Sequence, residues 1–593
     1  MTDRTVSDQM VERLREWGVR RIFGYSGDGI NGFLKALQDA DGAIEFVQAR
    51  HEENAAFMAV GHAKYTGTVG VVTSTQGPGA IHLLNGLYDA KLDGVPVVAI
   101  VGQQSRSALG AGYMQEVNLL QLFSDVAAQY AQLVSTPEQL PSVLDRAIRT
   151  ALATRSPTVV IVPHDIQKAA AVELEASHGI VATAAEYTAP VVVPQAADLR
   201  AAAAVLTSGS KVAFLVGQGA RSASAEVLAL AEKLGAGVAT SLLGKPWLDE
   251  TLPFVVGTMG HLGTTASAFL LGECDTLLLV GTNDPWTEFY PPLGQARAVQ
   301  IDLDGRSLGN RFPIEVGLVG DAARTLSALL DLVEEQQDRG WRKQVEAQVR
   351  RWEEIAQRRA KVPGEPLNPE LVLRELTGRL PDSAQVAVDV GSVVYWYARQ
   401  LRLPLGVPAH LSGTLASMGC GVPYGIAAKL AAADRPVVVL AGDGAMQMTG
   451  VAELITVARL WPGWADPRFV VCVLNNGDLA EVSWEQREME GAPRFPPSQA
   501  LPDFPFARYA DLLGMTGIRV QRSEDIGPAW DAALTADRPV VLEFLTDPSI
   551  PLLPPFPAGK EKLEQMRSSL AQEGADGERA RRLLDEYARH EES

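Results

Sequence analysis

Residues 437–445 read VVVLAGDGA and residues 469–476 read FVVCVLNN, and a helical pattern over 451–460 separates the two segments. Short apolar runs that are rich in valine are typical of buried parallel strands. Asp443 follows the first run on a glycine turn, and Asn476 follows the second run. Ligand sites of parallel sheets lie outside the carboxyl ends of the strands. We therefore expect Asp443 and Asn476 to converge there as oxygen ligands of one octahedral cation that holds a diphosphate.

The glycines beside Asp443 favour a phosphate site. Gly442 and Gly444 allow a phosphate group to approach the backbone closely, although Gly-Asp-Gly alone is also an ordinary β-turn. Together with the paired asparagines, the segment through Ala445 resembles the thiamine diphosphate signature of the pyruvate oxidase and acetolactate synthase superfamily. The resemblance implies that thiamine diphosphate and Mg²⁺ are cofactors, and that the metal ligands are Asp443, Asn476 and the backbone carbonyl of Asp478.

The alternation of apolar run and helical pattern recurs along the whole chain. The other predicted strands lie at 20–25, 70–75, 96–102, 158–163, 211–217, 276–281, 298–302, 386–390 and 539–545. Repeated β-then-α units of this kind predict an α/β protein with three doubly wound parallel-sheet domains. Proline clusters over 186–197 and 361–370 interrupt the pattern and are typical of linkers.

These linkers predict domains over 1–185, 197–335 and 368–550. The resemblance implies that they are, in this order, an N-terminal thiamine pyrimidine-binding domain, a central FAD-binding-type domain, and a C-terminal domain that binds the diphosphate and magnesium. Residues 551–593 hold too few apolar side chains for a core of their own, so we expect an extended arm and a helical tail there.

A second motif lies in the first domain, where residues 50–56 read RHEENAA and residues 112–116 read GYMQE. The first segment resembles the catalytic-glutamate segment of the superfamily, and the resemblance assigns that role to Glu52. A carboxylate that is hydrogen-bonded to pyrimidine N1′ favours the imino tautomer that takes the proton from thiazolium C2. Taken alone, a glutamate pair at a helix start is usually solvated. Gln115 stands where the family has a glutamine that faces the cofactor.

The resemblance also concerns the shape of the cofactor and the assembly. Ser417, Met418 and Gly419 are similar to the segment whose bulky side chain supports the bent V conformation of thiamine, although a methionine between small residues is also common in plain core. In this family the glutamate and the diphosphate site come from different subunits. The resemblance therefore implies a homodimer or a homotetramer.

The central segment carries a weak dinucleotide signal, because the third glycine of a GxGxxG pattern is replaced by Ser222. Taken together, its polar and glycine-rich segments resemble the FAD domain of pyruvate oxidases. Acetolactate synthases also carry FAD here without needing it for redox chemistry, but they have an arginine where this chain has Asn283. The resemblance implies FAD contacts from Gly217, Gly219, Gly260, His261, Leu262, Thr282, Asn283, Asp284, Asp302 and Asp321.

The segment after Asn476 bears on the substrate. Glu485 falls where pyruvate oxidases have an acid that lines the pocket, whereas Glu481 stands where those relatives have an aromatic residue. A second acid there repels the carboxylate of a 2-oxo acid or, if burial raises its pKa, donates a proton. Both acids are also compatible with a solvated helix face. We predict catalytic roles for Glu52, Gln115, Glu481 and Glu485.

Composition excludes several other functions. The chain has 52 basic and 71 acidic residues, a formal charge of −19, so binding to nucleic acid is not expected. Its three cysteines are far apart, which argues against a disulfide framework and favours a reducing compartment. The first residues lack an apolar signal region, and the sequence has no long apolar run. We expect a cytoplasmic enzyme without stable membrane insertion.

The leading hypothesis is a thiamine diphosphate and Mg²⁺ enzyme that decarboxylates a pyruvate-like 2-oxo acid and passes two electrons to bound FAD. A first alternative is a carboligase similar to acetolactate synthase, in which FAD is only structural. A second alternative is a non-catalytic paralogue that binds the cofactors without turnover.

Overall fold

The computed structural model describes residues 4–173 and 178–592, and within them the chain forms three six-stranded sheets. Every pair of neighbouring strands in these sheets is parallel. Helices lie between successive strands along the chain. The prediction of an α/β protein with three doubly wound parallel sheets is confirmed.

The first sheet has the order β2-β1-β3-β4-β6-β5. Its strands are β1 (Arg21–Gly24), β2 (Glu45–Gln48), β3 (Gly70–Ser74), β4 (Val97–Gln103), β5 (Ala131–Leu133) and β6 (Pro157–Pro163). The α-helices of this part are Val6–Glu16, Asn31–Asp39, Glu52–Thr66, Pro78–His82, Leu84–Asp93, Leu119–Leu122, Leu140–Thr154 and His164–Lys168.

The second sheet has the order β12-β11-β10-β7-β8-β9. Its strands are β7 (Val212–Val216), β8 (Gly237–Thr240), β9 (Val255–Thr258), β10 (Thr276–Val280), β11 (Arg297–Asp302) and β12 (Val316–Val319). Its α-helices are Ala196–Ser208, Ser224–Leu234, Thr265–Glu273 and Ala322–Leu330, and the helix Gly340–Ala360 leads to the third sheet.

The third sheet has the order β14-β13-β15-β16-β18-β17. Its strands are β13 (Gln385–Val388), β14 (Ala409–His410), β15 (Val437–Gly442), β16 (Phe469–Asn475), β17 (Thr516–Val520) and β18 (Val540–Leu545). Its α-helices are Pro369–Leu376, Ser392–Gln400, Gly421–Ala431, Asp443–Ala445, Val451–Leu460, Ala480–Glu485, Pro496–Gln499, Phe506–Leu512 and Ile526–Leu534. Two π-helical turns, Met446–Gly450 and Gln486–Glu490, continue helices of this part.

The strand orders show where ligands can bind. The first and third sheets share one strand order. The direction in which successive strands are added to the sheet reverses between β1 and β3 in the first sheet and between β13 and β15 in the third. The second sheet has the order of dinucleotide-binding sheets and reverses between β7 and β10. In open parallel sheets the crevice at this reversal binds ligands beyond the carboxyl ends of the strands.

The first and third parts pack together through the helices Glu52–Thr66 and Gly421–Ala431. A Cβ atom on Gly61 would lie only 3.0 Å from Ala427 Cβ, so glycine is needed for the close approach. The buried Lys64 ammonium donates to Asp93 Oδ2 at 2.6 Å and to the Leu411 carbonyl at 2.7 Å, which links the two parts electrostatically. The interface therefore combines close backbone packing with a hydrogen-bonded buried charge pair.

The C-terminal segment forms the helices Ala558–Gln572 and Ala575–Glu592, and their apolar faces join the core of the third sheet. The buried side chains of Leu563, Met566, Leu570, Leu583, Leu584 and Tyr587 make this contact. A buried ion pair, Arg359 to Glu591 at 2.6 Å, adds to it. Across the described ranges, no helix combines the length and the apolar character that a membrane crossing requires.

Candidate cofactor and active site

The Asp443 carboxylate lies at the carboxyl end of β15, beside the reversal point of the third sheet. It accepts hydrogen bonds from the backbone N–H groups of Gly444 at 3.0 Å, Asn476 at 3.0 Å and Gly477 at 2.6 Å. Only 3% of Asp443 is exposed, and burial raises the pKa of its carboxyl to about 6. The end of β15 is thus joined by hydrogen bonds to the turn that follows β16. A buried carboxylate held by backbone amides is suited to a divalent cation.

The turn after β16 carries the other two predicted metal ligands. Asn476 Oδ1 accepts a hydrogen bond from the backbone N–H of Asp478 at 2.9 Å, which fixes the turn. The buried Asp478 side chain accepts hydrogen bonds from Arg494 Nε at 3.0 Å and from an Arg494 terminal nitrogen at 2.7 Å. The Asp478 carboxylate is thus paired with Arg494, and the ligand role predicted for Asp478 concerns only its backbone carbonyl.

Asp389, which the sequence reasoning missed, has the same kind of environment at the end of β13. Its carboxylate accepts hydrogen bonds from the backbone N–H groups of Val390, Gly419 and Gly421 at 2.7–2.8 Å. Burial raises its pKa to about 6. Asp389 therefore shapes the Ser417–Gly419 loop. The signal was an aspartate directly after an apolar run, the same signal that indicated Asp443.

The Ser417–Gly419 loop lies against the phosphate turn and also reaches the first domain. Met418 Cε lies 3.1 Å from the position that a Cβ on Gly444 would occupy, so Gly444 and Met418 are in close contact. Asn85 Nδ2 donates to Ser417 Oγ at 2.8 Å and to Glu53 Oε1 at 2.5 Å. Within this one chain, the start of the helix that carries Glu52 is thereby joined to the predicted cofactor loop. Ala445 is buried at the first turn of the next helix.

Glu52 is the first residue of the helix Glu52–Thr66 and is only 8% exposed. Its Oε2 atom lies 2.9 Å from Nδ1 of His82, and the rings of His82 and His51 lie 4.3 Å apart. Ligand atoms of these three residues all lie within 4.8 Å of one another, so the cluster could also hold a metal ion. The sequence reasoning missed His82, because nothing in its local sequence placed it beside Glu52.

Gln115 lies on an exposed loop in a left-handed conformation with φ 61°. Its side-chain oxygen accepts a hydrogen bond from Gln76 Nε2 at 3.1 Å. A Cβ on Gly77 would lie 2.8 Å from Gln115 Cβ, so the loop passes closely over the Gly77–Pro78 turn. Gln115 thus lies near the carboxyl end of β3, on the side of the sheet where ligands bind.

The helix Ala480–Glu485 and the following π turn bring three acids onto one side, since Glu481, Glu485 and Glu488 are spaced by four and three residues. Burial, with the charge of Glu485, raises the pKa of Glu481 to about 7. Burial also raises the pKa of Glu485, and raises that of Glu488 to about 7. These groups therefore exchange protons more readily near neutral pH than ordinary carboxylates do. Sequence reasoning missed Glu488.

In the central domain, two of the predicted glycines, Gly217 and Gly219, lie against Gly281 at the β7/β10 reversal point. The Gly219 backbone N–H donates to the Gly281 carbonyl at 3.0 Å, and a Cβ on Gly217 would lie 2.4 Å from that carbonyl oxygen. The two loops can approach this closely only because these positions are glycines. Their contact forms the floor of the crevice where dinucleotides bind in sheets of this order.

The same edge of the central sheet holds buried oxygens without partners. Within the described residues, no hydrogen-bond partner is found for the side-chain oxygens of Thr240, Thr258, Thr282 and Asn283. Each of these residues ends a strand or follows one. Unpaired buried polar groups are costly, so this edge fits a polar ligand such as a flavin nucleotide that would satisfy them.

The remaining predicted flavin contacts differ in their surroundings. His261 lies 2.9 Å from Glu288 and 3.6 Å from Glu488, so the Gly260–Leu262 loop meets the acidic helix of the third part. Burial raises the pKa of Asp284 to about 6 and also raises that of Asp302. The Asp321 side chain caps the helix Ala322–Leu330 by accepting from the Arg324 backbone N–H at 2.9 Å.

Comparison with known families agrees with this geometry. Three family models match the chain in order: the N-terminal TPP binding domain of thiamine pyrophosphate enzymes at residues 4–122, their central domain at 199–329, and their C-terminal TPP binding domain at 389–544. Thiamine pyrophosphate is another name for thiamine diphosphate. The chain belongs to the thiamine pyrophosphate enzyme family.

Named relatives match along nearly the whole chain. A putative thiamine pyrophosphate-containing protein, YdaP, of Bacillus subtilis is 34% identical over 93% of this chain and 93% of its own length. The pyruvate oxidase of Lactiplantibacillus plantarum is 30% identical over 95% and 91% of the two chains. The large subunit of acetolactate synthase isozyme 2 of Escherichia coli is 32% identical over 94% and 99%. The superfamily predicted from the motifs is confirmed.

Proposed function

We propose that this enzyme decarboxylates a pyruvate-like 2-oxo acid with thiamine diphosphate and Mg²⁺ and passes two electrons to FAD. The observation that carries the redox part is the contact between His261 and Glu488. It joins a central domain of dinucleotide topology to the helix that follows the Asn476–Asp478 turn. The Gly260–Leu262 loop, to which the resemblance assigns flavin contacts, is thereby in contact with the acidic segment. We further propose Asp443, Asn476 and the Asp478 carbonyl as metal ligands, in a homodimer or homotetramer.

The chain's own residues have distinct tasks in this proposal. Bound thiamine diphosphate supplies an electron sink for loss of carbon dioxide, and bound FAD accepts the two electrons. Glu52, held beside His82, would hydrogen-bond the pyrimidine N1′ of the bound cofactor and so set its protonation. Met418, whose side chain lies beside Gly444, would help to hold the bound cofactor in place. Glu485 and Glu481 face the substrate, and burial raises the pKa of both carboxyls. The pKa of Glu481, about 7, allows it to hold or release a proton near neutral pH.

Acceptor dependence tests this proposal. Purified protein supplied with thiamine diphosphate, Mg²⁺ and pyruvate should release carbon dioxide only when an electron acceptor such as ferricyanide is present. We expect one carbon dioxide for each pair of electrons that reaches the acceptor, because the flavin must be reoxidised before the next turnover. Measuring both products in the same reaction gives the ratio. Release of carbon dioxide at the same rate with and without an electron acceptor would contradict the proposed transfer of electrons to FAD.

A carboligase is the second candidate, favoured by the match to an acetolactate synthase subunit over nearly its whole length. In that case the partnerless oxygens of the central crevice would bind a flavin that has only a structural role. Formation of a condensed hydroxy-keto acid from pyruvate without any acceptor would select this alternative. The same reaction mixtures therefore separate the two candidates.

Glu481 should control how substrate affinity varies with pH. It faces Glu485 on its own helical segment and Tyr395 on the helix Ser392–Gln400. Glu485 in turn interacts with Glu488, on which Arg399, Lys562 and Glu288 also act. Above its pKa of about 7, Glu481 is charged and repels a 2-oxo acid carboxylate. We expect the KM for pyruvate to rise about tenfold from pH 6 to pH 8, or about 1.4 kcal/mol.

Steady-state kinetics of Glu481→Gln checks this. The substitution removes the ionisation, so the KM should change little over the same pH range. Glu490→Gln, at the exposed end of the same segment, is a matched control that should keep the wild-type slope. An equal slope in wild type and Glu481→Gln would show that another group is responsible.

A further inference from the structure

The C-terminal tail touches the predicted active site through one buried carboxylate. Glu573 follows the helix Ala558–Gln572, and its side chain is 9% exposed. Its Oε1 atom accepts hydrogen bonds from Arg487 Nε at 2.7 Å and from the backbone N–H of Arg494 at 2.8 Å, and its Oε2 atom accepts from Arg487 at 3.0 Å. A single tail residue therefore holds two points of the third domain.

Both points lead to the predicted site. Arg487 belongs to the helical segment that carries Glu481, Glu485 and Glu488, and only 6% of its side chain is exposed. Arg494 uses its guanidinium to hold the Asp478 carboxylate, with nitrogen–oxygen distances of 2.7 and 3.0 Å. The Asp478 backbone N–H in turn donates to Asn476 Oδ1. A continuous series of hydrogen bonds thus runs from Glu573 to the turn of the predicted metal ligands.

Two further contacts keep the tail in register with this segment. Ser569 Oγ donates to the Arg487 carbonyl at 3.2 Å, and Gln565 Nε2 donates to the Met489 carbonyl at 3.0 Å. Because these contacts bind the backbone of the segment, the loss of Glu573 alone should leave the tail helix docked. Glu573 can therefore be tested separately from the tail as a whole.

The hydrogen bonds of Glu573 stabilise the positions of both Arg487 and Arg494. Arg487 and Glu573 form a buried pair with bidentate geometry, in which loss of one partner leaves the other charge unpaired. Arg494 is held at both ends, its backbone by Glu573 and its guanidinium by Asp478. An amide at position 573 keeps only one acceptor oxygen, for which Arg487 and the Arg494 backbone N–H then compete, so Arg494 is held less firmly and its guanidinium can no longer fix Asp478 as closely. Outer-shell partners that orient ligands change metal affinity by roughly 10- to 100-fold.

We propose that Glu573 is a positioning residue of the C-terminal tail that holds Arg494, and through it the Asn476–Asp478 turn, in the conformation that binds the divalent cation. The inference rests on the proposed function, since it takes that turn as part of the Mg²⁺ site. It assigns the tail a direct part in cofactor binding, in addition to its packing on the core.

Mn²⁺ is a suitable probe, because the electron paramagnetic resonance signal of the free ion reports binding without any turnover. Wild-type protein with thiamine diphosphate is titrated with Mn²⁺ and compared with Glu573→Gln. We expect the Kd for Mn²⁺ to rise roughly 10- to 100-fold in the variant. At saturating metal the kcat should stay within about threefold of wild type, because the cation site is then filled in both proteins.

Asp585→Asn is the matched control. It removes one tail charge and breaks the pair between Arg567 Nε and Asp585 Oδ1 at 2.7 Å, which joins the two tail helices without involving Arg487 or Arg494. Its Kd for Mn²⁺ should equal that of wild type. Arg494→Lys provides a second test on a more exposed side chain, should Glu573→Gln fail to fold, and it should weaken Mn²⁺ binding in the same direction.

The outcomes distinguish a failure of the positioning role of Glu573 from a failure of the proposed function. If wild type binds Mn²⁺ and both Glu573→Gln and Arg494→Lys bind it equally well, the positioning role is wrong and the proposed function stands. If wild type takes up no Mn²⁺ in the presence of thiamine diphosphate, the proposed function fails, and the inference fails with it. Weaker binding in these two variants but not in Asp585→Asn supports the proposal.

Discussion

Glu52→Gln should lower turnover by roughly 10²- to 10⁴-fold, the usual contribution of a general acid–base group. The amide has nearly the same shape as the carboxylate, but it cannot hold a negative charge against the protonated pyrimidine N1′. Glu52 is buried beside His82 at the first turn of its helix, so the neutral substitution should leave the fold intact. Isothermal titration calorimetry should still detect thiamine diphosphate binding, while the kcat for pyruvate decarboxylation collapses.

The adjacent acid provides the control for this prediction. Glu53→Gln removes the same charge one residue away, where the side chain accepts a hydrogen bond from Asn85. We expect a much smaller loss of kcat, since this position is assigned no proton transfer. Wild-type turnover in Glu52→Gln would refute the role of Glu52. Equal losses in the two variants would show that charge near the helix start, and not a specific contact, matters.

Asp443→Asn should abolish tight binding of the metal and with it the binding of thiamine diphosphate. The substitution removes the charge of the central ligand and turns an NH₂ donor toward the backbone donors of Asn476 and Gly477. We expect Mn²⁺ affinity to fall by more than the roughly 10- to 100-fold that loss of an outer-shell partner costs. Calorimetry of cofactor binding at fixed Mg²⁺, together with Mn²⁺ titration, measures both losses.

Asp389→Asn separates a ligand from a structural acid. Asp389 also accepts three backbone hydrogen bonds at a strand end. Its replacement by asparagine should destabilise the fold by about 1–3 kcal/mol, the cost of leaving buried donors unsatisfied. It is not in the proposed ligand set, so metal affinity should fall far less than in Asp443→Asn. Equal loss of metal affinity in the two variants would remove the ligand assignment of Asp443.

All inner strands except β8 could be predicted from sequence, and the edge strands could not. The run at Val437–Gly442 is buried on both faces and is almost wholly apolar. Six edge strands were missed: β2, β5, β9, β12, β14 and β17. Four of them include Glu45, Gln132, His410 and Arg519, because a strand with one free side can carry polar residues, whereas β9 and β12 are apolar but only four residues long. The inner strand β8 was also missed, since the segment Gly237–Thr240 is short and holds little apolar bulk.

The site divides in the same way. Asp443 and Asn476 could be brought together in advance, because parallel strand ends meet at one edge of a sheet. His82 and Glu573 could not be assigned, since each acts through a contact that depends on tertiary packing. Asp389 carries the same strand-end signal as Asp443 and was overlooked. Glu573 is the extreme case, because it lies in a charged tail whose sequence indicates only a helix.

The visible spectrum of the flavin tests most directly whether electrons from pyruvate reach FAD. The visible spectrum of the purified protein is recorded, and pyruvate is then added without oxygen in the presence of thiamine diphosphate and Mg²⁺. We expect an oxidised flavin spectrum that bleaches when pyruvate is added, because the two electrons released by decarboxylation reach FAD. A flavin that stays oxidised while pyruvate is consumed, or a protein that carries no flavin, would contradict electron transfer to FAD.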